Sequence, residues 1–333
     1  MNTIRTAAII GAGIAGLACA TTLQTANISV TLFDKGRRPG GRVATRRADG
    51  LTFDHGAQYA TARGAAFSAV MAQMHAAGVA APWPASQSDP HWVGIPGMSA
   101  LPRFMADALE ARGAQFAMER HVAFLHAEPD GWHVRHHPAA SLRPGTVTSE
   151  GGEMAGPFDV VLLALPSVQA APLLDAIAHP AAASLASIVF APCWAAMAAF
   201  GEMVAGPDTQ RHRGGTLAWI ARDSARPGRP ALPDAWMLHA SPAWSRANLE
   251  RPASDVAADL LAAFAGLAGP LPAPIHLSAH RWRYALVEHA LGQPCLWDAA
   301  RRIGLCGDWC LGPRVEQAFD SGVALASAVL DRT

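Results

Sequence analysis

The pattern of apolar positions at the start of the chain alternates between strand-like and helix-like periods. Residues 7–10 form a continuous apolar run, which predicts a buried strand. A helical pattern follows over residues 14–23, and a second apolar strand over residues 29–33 ends at Asp34. This order of strand, helix and strand is typical of a βαβ unit, which builds a parallel sheet.

Three glycines lie between the first strand and the helix, and each has a steric task. Gly11 permits the tight turn out of the strand, Gly13 lets the backbone approach a pyrophosphate, and Gly16 lets helix and strand pack closely. The helix N-terminus then offers free N–H groups and the positive end of its dipole to phosphates. At the end of the second strand, the Asp34 carboxylate is expected to accept the hydroxyls of an adenosine ribose. The combination predicts a dinucleotide-binding site.

The middle of the chain predicts two further kinds of sheet. The apolar run 158–165 is typical of a fully buried strand that rejoins the parallel sheet. Residues 116–125 and 132–136 are predicted as strands of a small antiparallel sheet, and 138–157 as a long polar loop.

From residue 185 onward the pattern indicates a second, mixed α/β domain. Strand-like segments at 194–200, 215–222 and 235–239 alternate with loops rich in proline and arginine. A helix over 255–267, capped by Ser254, follows them. The C-terminus returns to the first theme with a strand at 303–306, the sequence Gly307-Asp308-Trp309 and a last helix over 317–330.

The fold class expected from these elements is α/β. The first expected domain is Rossmann-like, with a parallel sheet and a small antiparallel sheet, and it is discontinuous in sequence. The second expected domain is a mixed α/β substrate domain. The predicted boundaries are 1–62, 99–166 and 295–333 for the nucleotide domain, and 63–98 and 167–294 for the substrate domain.

Composition narrows the class of function. Of the 333 residues, 51% are hydrophobic and 16% are charged, and the formal net charge is zero, so neither nucleic acid nor an anionic membrane is an expected partner. Apolar runs are shorter than a membrane span needs. The five cysteines form no disulfide framework, and Cys306 and Cys310 are interpreted as packing thiols, with a redox pair as the alternative. A reducing cytoplasm is therefore the expected location, and no metal site is predicted.

Six motifs occur in order along nearly the whole chain and together resemble a known family. They are Gly11-Ala-Gly-Ile-Ala-Gly16, Gly40-Gly41-Arg42, Asp54-His-Gly-Ala-Gln-Tyr59, the turn at 94–101, the strand 158–166 and Gly307-Asp308-Trp309. The chain resembles the flavin-dependent amine oxidase superfamily and, within it, the bacterial renalase group. Asp54–Tyr59, the run 307–316 and the segment 239–245 are the motifs more particular to renalases.

The resemblance implies noncovalent FAD. The residues that it assigns to FAD are Gly11, Gly13, Ala15 and Gly16 at the pyrophosphate, Asp34 and Lys35 at the adenosine end, Gly41 and Arg42 along the phosphate and ribityl region, Gly56, Ala57 and Gln58 at the isoalloxazine, Val122 at the adenine, Asp308 at the ribityl chain, and Val315 at the pyrimidine edge. Gly307 is a further cofactor-binding candidate.

The resemblance also implies a reaction. Amine oxidases of the superfamily commonly place a lysine near flavin N5, but the only lysine of this chain is Lys35. Renalases lack that lysine too, and they oxidise 2- or 6-dihydro isomers of NAD(P)H to NAD(P)+ while oxygen becomes hydrogen peroxide. We therefore expect a dinucleotide substrate and O2 as partners. Such a reaction depends mainly on positioning a planar ring.

Candidate substrate-pocket residues are aromatic or hydrogen-bonding side chains near the motifs. They are Gln58, Tyr59, His239, Trp282 and Tyr284, followed by Trp194 and Trp219. Core packing is the alternative role for each aromatic residue, and His55 is interpreted as a hydrogen-bonding turn residue rather than a base. Alternative functions are an FAD-dependent amine oxidase or desaturase-type enzyme, an NAD-dependent dehydrogenase, and a flavoprotein whose FAD is structural or senses redox state.

Overall fold

The structure is a computed structural model that describes residues 4–84, 90–143 and 145–331. The strands in these ranges are β1 (Thr6–Ile10), β2 (Ser29–Phe33), β3 (Arg46–Ala48), β4 (Leu51–Phe53), β5 (Ala80–Trp83), β6 (His91–Gly94), β7 (Gln115–Ala117), β8 (Arg120–Glu128), β9 (Gly131–Pro138), β10 (Glu153–Phe158), β11 (Val160–Leu163), β12 (Val189–Phe200), β13 (Thr209–Arg211), β14 (Leu217–Arg222), β15 (Asp234–Ala240), β16 (Pro274–His289), β17 (Leu296–Asp298) and β18 (Ile303–Leu305). The α-helices are α1 (Ile14–Thr25), α2 (Ala65–Ala76), α3 (Ala100–Glu110), α4 (Ser167–Asp175), α5 (Ala181–Ser184), α6 (Pro242–Ala247), α7 (Ala253–Ala268), α8 (Asp308–Leu311) and α9 (Val315–Leu330).

The chain forms two compact units that are both discontinuous in sequence. The first comprises Met1–Gly41, Pro102–Val189 and Val287–Thr333, and the second comprises Arg42–Leu101 and Phe190–Leu286. Compared with the predicted domain boundaries, residues 42–62 pack with the second unit and residues 167–189 with the first. The functional division into an FAD-binding domain and a substrate domain stays a prediction.

The first unit is built on a six-stranded sheet in the order β17-β18-β11-β1-β2-β7. Its inner pairs are parallel, and β17 joins β18 antiparallel at one edge. The central strands β1 and β11 are almost wholly buried, as continuous apolar strands in a parallel sheet must be. The predicted Rossmann-like fold with a parallel sheet is therefore confirmed.

A three-stranded antiparallel sheet, β10-β9-β8, completes the first unit and corrects two predictions. The run 116–125 is not one strand, because the chain turns at Glu119 with a positive φ of 56°. The part before the turn joins the parallel sheet as β7, and the part after it begins β8. The segment 138–157 is not entirely a loop, since β10 pairs with β9 through an irregular register between Ala155 and Phe158.

The second unit is built on a five-stranded sheet in the order β13-β14-β15-β12-β16. Of β16, residues 274–286 belong to this unit. One face of this sheet packs on α7 and forms the core of the unit. Trp194, Trp236 and Leu238 contribute to that core from the sheet, and α7 contributes Leu260 and Phe264. Two short hairpins, β3-β4 and β5-β6, belong to the same unit.

The start of α7 differs from its prediction. Ser254 does not cap the helix, because the helix begins at Ala253 and its N-cap residue is Pro252. Ser254 lies inside the first turn, and its hydroxyl donates to the neighbouring Asp255. The apolar face predicted for this helix is present, with Val256, Leu260 and Phe264 buried.

Within the described ranges, none of the helices combines the length and the apolar character that crossing a membrane requires. All five cysteines are free thiols, and Cys306 and Cys310 are fully buried. Burial raises the pKa of Cys310 above its ordinary range.

Close packing between α1 and α9 depends on a glycine. A Cβ placed on Gly322 would lie 2.1 Å from the carbonyl oxygen of Ala15, whereas a Cβ on Gly266, in exposed α7 backbone, meets nothing within 4 Å. We expect Gly322→Ala to lower the free energy of unfolding by about 1–3 kcal/mol through overpacking. The control Gly266→Ala should leave it unchanged or raise it by about 0.5–1 kcal/mol. Urea unfolding of both variants measures this, and equal effects at the two positions would contradict the packing.

Candidate functional site

The glycine turn after β1 has the steric features expected of a dinucleotide-binding turn. Gly11 has a φ of +112°, and a Cβ there would lie 2.4 Å from the carbonyl oxygen of Ala164. A Cβ on Gly16 would lie 1.9 Å from the carbonyl oxygen of Gly11. Gly13 is different, because a Cβ there meets no protein atom within 4 Å. Gly11 and Gly16 are thus required by the fold, while Gly13 leaves open space for a ligand.

Gly40 and Gly41 lie directly beside this turn. The Gly40 amide donates to the carbonyl oxygen of Ala12 at 2.8 Å, and Gly40 forms a parallel bridge with Gly13. Gly41 has a φ of +56°, and a Cβ there would lie 3.6 Å from the Cα atom of Gly13. The structure therefore brings the predicted phosphate residues Gly13 and Gly41 together.

Asp34 lies at the carboxyl end of β2, the position at which a dinucleotide-binding fold is expected to bind the adenosine ribose. Its two carboxylate oxygens accept the amides of Ala12 at 2.8 Å and Gly36 at 2.6 Å. Burial raises the pKa of this carboxyl despite those hydrogen bonds. Each carboxylate oxygen has a second lone pair, so both remain able to accept ribose hydroxyls. Lys35 points elsewhere in the first unit and donates to Oε1 of Gln169 at 3.1 Å.

The C-terminal motif reaches the same edge of the parallel sheet. The amide of Gly307 donates to the hydroxyl of Ser321 at 3.0 Å, and the indole of Trp309 donates to the carbonyl oxygen of Leu165 at 2.9 Å. These bonds fix the start of α8, where Asp308 is buried. Because carboxyl ends of parallel strands share one edge, Gly11, Asp34 and Asp308 lie on the side where α/β sheets bind ligands.

The remaining predicted FAD residues of the first unit lie on three different elements. Val122 is buried in β8 opposite His136, Val315 begins α9, and Ala15 packs its backbone against Gly322. Their roles toward FAD stay predictions.

The second unit carries its polar and aromatic candidates on one face of the five-stranded sheet. Side chains alternate between faces along a strand. Leu238, Ile220 and Leu277 pack into the α7 core, so their neighbours in sequence take the opposite face. That opposite face, called here the site face, carries Trp219, His239, His280, Trp282 and Tyr284.

Trp194 does not belong to the site face, which corrects its candidacy as a pocket residue. It is 2% exposed and lies in the α7 core with Trp236. Its indole donates to the carbonyl oxygen of Asn248 at 3.0 Å. The other second-rank candidate, Trp219, does lie on the site face, paired with His239 across β14 and β15.

Four buried charges, called here the charge cluster, join the Asp54 segment to the connection between β14 and β15. Asp223 accepts from Arg226 at 2.6 Å and Arg229 at 3.0 Å, and Asp54 accepts from Arg229 at 2.5 Å. The Asp54 amide donates to the Asp223 carboxylate at 2.6 Å. Burial raises the pKa of Asp54. Burial would do the same at Asp223, but the charges of Arg226 and Arg229 hold its pKa below the ordinary value.

Gln58 connects the charge cluster to the site face. Its Oε1 accepts from Nη2 of Arg226 at 2.8 Å and from the Trp219 indole at 3.3 Å. Its backbone oxygen accepts from Nη1 of Arg226 at 2.5 Å, and its Nε2 donates to the carbonyl oxygen of Asp54. Nε2 of Gln58 lies 3.4 Å from Nε2 of His239. The predicted pair Gln58 and His239 is thus in contact.

His55, His280 and Trp282 form a packed aromatic group beside this pair. The His55 ring centroid lies 4.9 Å from that of His280 and 5.1 Å from that of Trp282. The Trp282 indole donates to the carbonyl oxygen of His55 at 2.8 Å. Burial lowers the pKa of His55 to about 3, with His280 and Arg46 adding to the effect. Burial likewise lowers the pKa of His239 to about 4 and that of His280 to about 4.

Tyr59 lies on the other side of Trp219. Its ring stacks on His91 with centroids 3.6 Å apart, and its centroid is 6.0 Å from that of Trp219. The Arg211 guanidinium donates to the Tyr59 hydroxyl and lies 4.8 Å above the Trp219 ring. Tyr59 therefore borders the site with a cation fixed between two aromatic rings.

Tyr284 lies apart from Gln58 and His239, beside a different pair of residues. Arg42 donates to its carbonyl oxygen at 3.3 Å, and its ring centroid is 6.0 Å from that of Phe190. Arg42 also fixes the backbone of residues 56–58, the segment predicted to contact the flavin. Its carbonyl oxygen accepts from the Ala57 amide at 2.9 Å, and it occupies the space that a Cβ on Gly56 would need.

The sequence interpretation missed Asp223, Arg226, Arg229 and His280. The first three lie in a segment rich in arginine, proline and glycine, which is typical of a solvated loop. His280 has a signal in the sequence, because it shares the period of two with Trp282 and Tyr284.

Comparison with known proteins identifies the family. Residues 9–74 match the model of an NAD(P)-binding Rossmann-like domain, and residues 83–330 match that of flavin containing amine oxidoreductases. The chain belongs to the flavin containing amine oxidoreductase family. Members of this family are flavin-dependent oxidoreductases, and the cofactor of this chain is noncovalent FAD.

Solved structures with the same fold cover nearly the whole chain. A protein from Exiguobacterium sp. 255-15, provisionally described as a protoporphyrinogen oxidase, superposes with a TM-score of 0.73 at 15% identity over 100% of both chains. A triple mutant of putrescine oxidase gives 0.73 at 15% identity over 99% of both chains. At these identities the likeness shows the fold alone.

Curated relatives match over a short segment only. A 4,4'-diapophytoene desaturase from Staphylococcus haemolyticus is 45% identical over 49 residues, which is 15% of this chain and 10% of that protein. The matching enzyme of Staphylococcus aureus strain Newman gives the same figures. The match spans about a tenth of the length of these relatives.

The residues present fit FAD. The backbone at Gly13 is open to a diphosphate, while Asp34 retains free lone pairs for a ribose. In the second unit, Nδ1 of His55 is buried without a hydrogen-bond partner among the described residues, so a ligand atom there would satisfy it.

Gly13 and Gly11 provide a matched test of the FAD site. We expect Gly13→Ala to fold normally but to bind FAD about tenfold more weakly, ~1.4 kcal/mol, because the methyl group enters only the ligand space. Gly11→Ala should instead lose both stability and FAD, since its methyl group meets the Ala164 backbone. Flavin absorbance per mole of protein and the thermal midpoint of the apoprotein separate the two outcomes. Undiminished FAD affinity in Gly13→Ala would exclude this turn as the diphosphate site.

Proposed function

We propose that the chain is a renalase-like FAD-dependent oxidase, which takes a hydride from 2- or 6-dihydro isomers of NAD(P)H and releases NAD(P)+. Oxygen takes up the two electrons and becomes hydrogen peroxide. The observation that carries this proposal is the placement of Lys35. It is the chain's only lysine, and it lies in the first unit with Gln169 as its partner. The site face of the second unit therefore lacks the lysine typical of amine oxidation in this superfamily.

The electrostatics of the site face support the same substrate class. His55, His239 and His280 have pKa values of about 3, 4 and 4, so all three are neutral at pH 7. A protonated amine must lose a proton when it is oxidised, whereas a dihydropyridine becomes aromatic by losing hydride alone. A neutral aromatic surface suits the second reaction, in which orientation provides most of the catalysis.

The proposed roles follow from the contacts. FAD, when bound, supplies the hydride acceptor. Gln58 and His239 hold the polar part of the site in place through their contacts with each other and with Arg226 and Trp219, and Tyr59 and Trp282 offer flat surfaces to a planar ring. Tyr284 is assigned to the margin of the site because its neighbours are Arg42 and Phe190.

Anaerobic stopped-flow spectroscopy of the purified yellow protein tests the proposal. We expect rapid loss of flavin absorbance with 6-dihydro-NAD and a slow response to ordinary NADH and to a panel of amines. Putrescine belongs in the panel, because a putrescine oxidase shares the fold. Rapid bleaching by an amine would assign the protein to amine oxidation instead. Inertness toward every donor, with FAD present, would refute the oxidase assignment.

Arg211 supports a phosphate-bearing substrate. It lies on the edge strand β13, stacked on Trp219 and bonded to the Tyr59 hydroxyl. Its contacts with the part of the chain that the structure describes leave most of its guanidinium donors unused. A guanidinium is well suited to a pyrophosphate because it forms two parallel hydrogen bonds. We propose that Arg211 binds the pyrophosphate of the dinucleotide.

A substrate pair tests Arg211. We expect Arg211→Gln to raise the KM for 6-dihydro-NAD about tenfold, ~1.4 kcal/mol, with little change in kcat. The KM for the phosphate-free 6-dihydronicotinamide riboside should stay the same. The control Arg103→Gln removes an exposed arginine on α3, whose partner is Asp107, and should change neither value. An equal rise for both substrates would show that Arg211 supports the aromatic rings rather than a phosphate.

A further inference from the structure

The amide of Gln58 has one orientation that satisfies its neighbours. Its Oε1 faces two donors, Nη2 of Arg226 at 2.8 Å and the Trp219 indole at 3.3 Å. Its Nε2 faces two acceptors, the carbonyl oxygens of Asp54 and, at 3.2 Å, Gly56. A flipped amide would place donor against donor and acceptor against acceptor, so the oxygen and nitrogen positions are fixed by chemistry.

This orientation determines the state of His239. Nε2 of Gln58 has two hydrogens and no acceptor lone pair, so the longer contacts with Gly56 at 3.2 Å and with Nε2 of His239 at 3.4 Å share one of them. A hydrogen on Nε2 of His239 would point at these amide hydrogens, so this ring nitrogen carries no proton. In a neutral imidazole the hydrogen is then on Nδ1. The same ring hydrogen-bonds the backbone of His55, which suits an Nδ1 donor.

Arg226 can impose this order because its buried side chain is held by several contacts. Its side chain is 0% exposed, and its guanidinium bonds Asp223 at 2.6 Å and lies 4.2 Å above the Trp83 ring. A guanidinium has N–H donors and no acceptor atom, so Arg226 can only donate to Gln58.

We propose that Arg226 is a positioning residue that, together with Trp219, fixes the Gln58 amide and thereby holds His239 as the neutral tautomer protonated at Nδ1. Its consequence for catalysis rests on the proposed function. The substrate ring then meets groups that neither take up nor release a proton, which restricts the site to donors that lose hydride without losing a proton.

The charges around His239 agree with this arrangement. Asp223 favours a proton on the ring, while Arg226 opposes it, and His55 beside it is neutral. Desolvation exceeds these effects and lowers the pKa of His239 to about 4. The ring therefore stays neutral between about pH 5 and 9, and the rate of hydride transfer should show no pH dependence from His239 in that range.

Nuclear magnetic resonance of the holoprotein with ¹⁵N-labelled histidine measures the tautomer, with His239→Asn used to assign the signal. In the wild type we expect Nδ1 protonated, Nε2 unprotonated, and no change from pH 5 to 8. A wild-type ring protonated at Nε2, or titrating near pH 6.5, would overturn the proposal without recourse to any variant.

Two variants test the direction of control. Gln58→Glu keeps the acceptor toward Arg226 but turns the group facing His239 from a donor into a carboxylate. We expect His239 to become protonated on both nitrogens at pH 7 and to titrate. The rate of flavin reduction should acquire a pH midpoint equal to that of His239.

Arg226→Lys keeps the charge but loses the two hydrogen bonds to the Oε1 and backbone oxygen of Gln58, and we expect a mixture of His239 tautomers.

The matched control is Gln73→Glu, the same chemical change on an exposed position of α2, which should leave both the His239 signals and the rate unaltered. An unchanged neutral tautomer in folded Gln58→Glu would show that Gln58 does not control His239. The resonance measurement requires no substrate. A wild type with the expected tautomer that no dihydronicotinamide reduces would therefore refute the proposed function and leave this inference intact.

Discussion

The arrangement of the second unit depends on four charges that are almost completely shielded from water. Asp54 and Asp223 face Arg226 and Arg229, and each of these side chains is at most 5% exposed. Such a cluster contributes little net stability, because desolvating the charges offsets their attraction, yet removing one partner typically costs about 3–5 kcal/mol. Its contribution is position. It fastens the turn that begins at Asp54 to the strand connection that carries Arg226, and so determines where the Gln58 amide lies.

The first unit meets its constraint by steric exclusion rather than by charge. Gly11 and Gly16 leave no room for a side chain, since the nearest backbone oxygens lie 2.4 and 1.9 Å from a Cβ. Gly13 between them is open. A short sequence thus defines both the path of the backbone and the open space beside it. Because the chain belongs to a flavin-binding family, FAD is the ligand expected in that space. The two units solve different problems, one by the absence of side chains and the other by their close pairing.

Local sequence is sufficient for the nucleotide turn and insufficient for the site face. The residues that identify the turn, Gly11, Gly13, Gly16 and Asp34, all lie within the first 34 positions, and each has a steric or hydrogen-bonding reason to be what it is. On the five-stranded sheet, Trp194 and Trp282 have equally strand-like surroundings. Which face each takes depends on where α7 packs, and no local pattern contains that information. The charge cluster could not be predicted for a similar reason. Arg226 and Arg229 lie among prolines and glycines, which is typical of an exposed loop, and they are buried because they pair with residues that include Asp54, which is distant in sequence. The break at Glu119 also lacked a signal, since a glutamate adopts the positive φ there.

The single lysine makes the protein chemically addressable. Burial lowers the pKa of Lys35, so its amine is more nucleophilic at moderate pH than an ordinary lysine. Apart from the chain terminus, an amine-directed reagent has one side chain to modify, and that side chain follows Asp34 at the carboxyl end of β2. A fluorophore introduced in this way would sit at one defined position, beside the turn where the adenosine end of the cofactor is expected. Ordinary lysine chemistry would then report cofactor loading without an engineered cysteine.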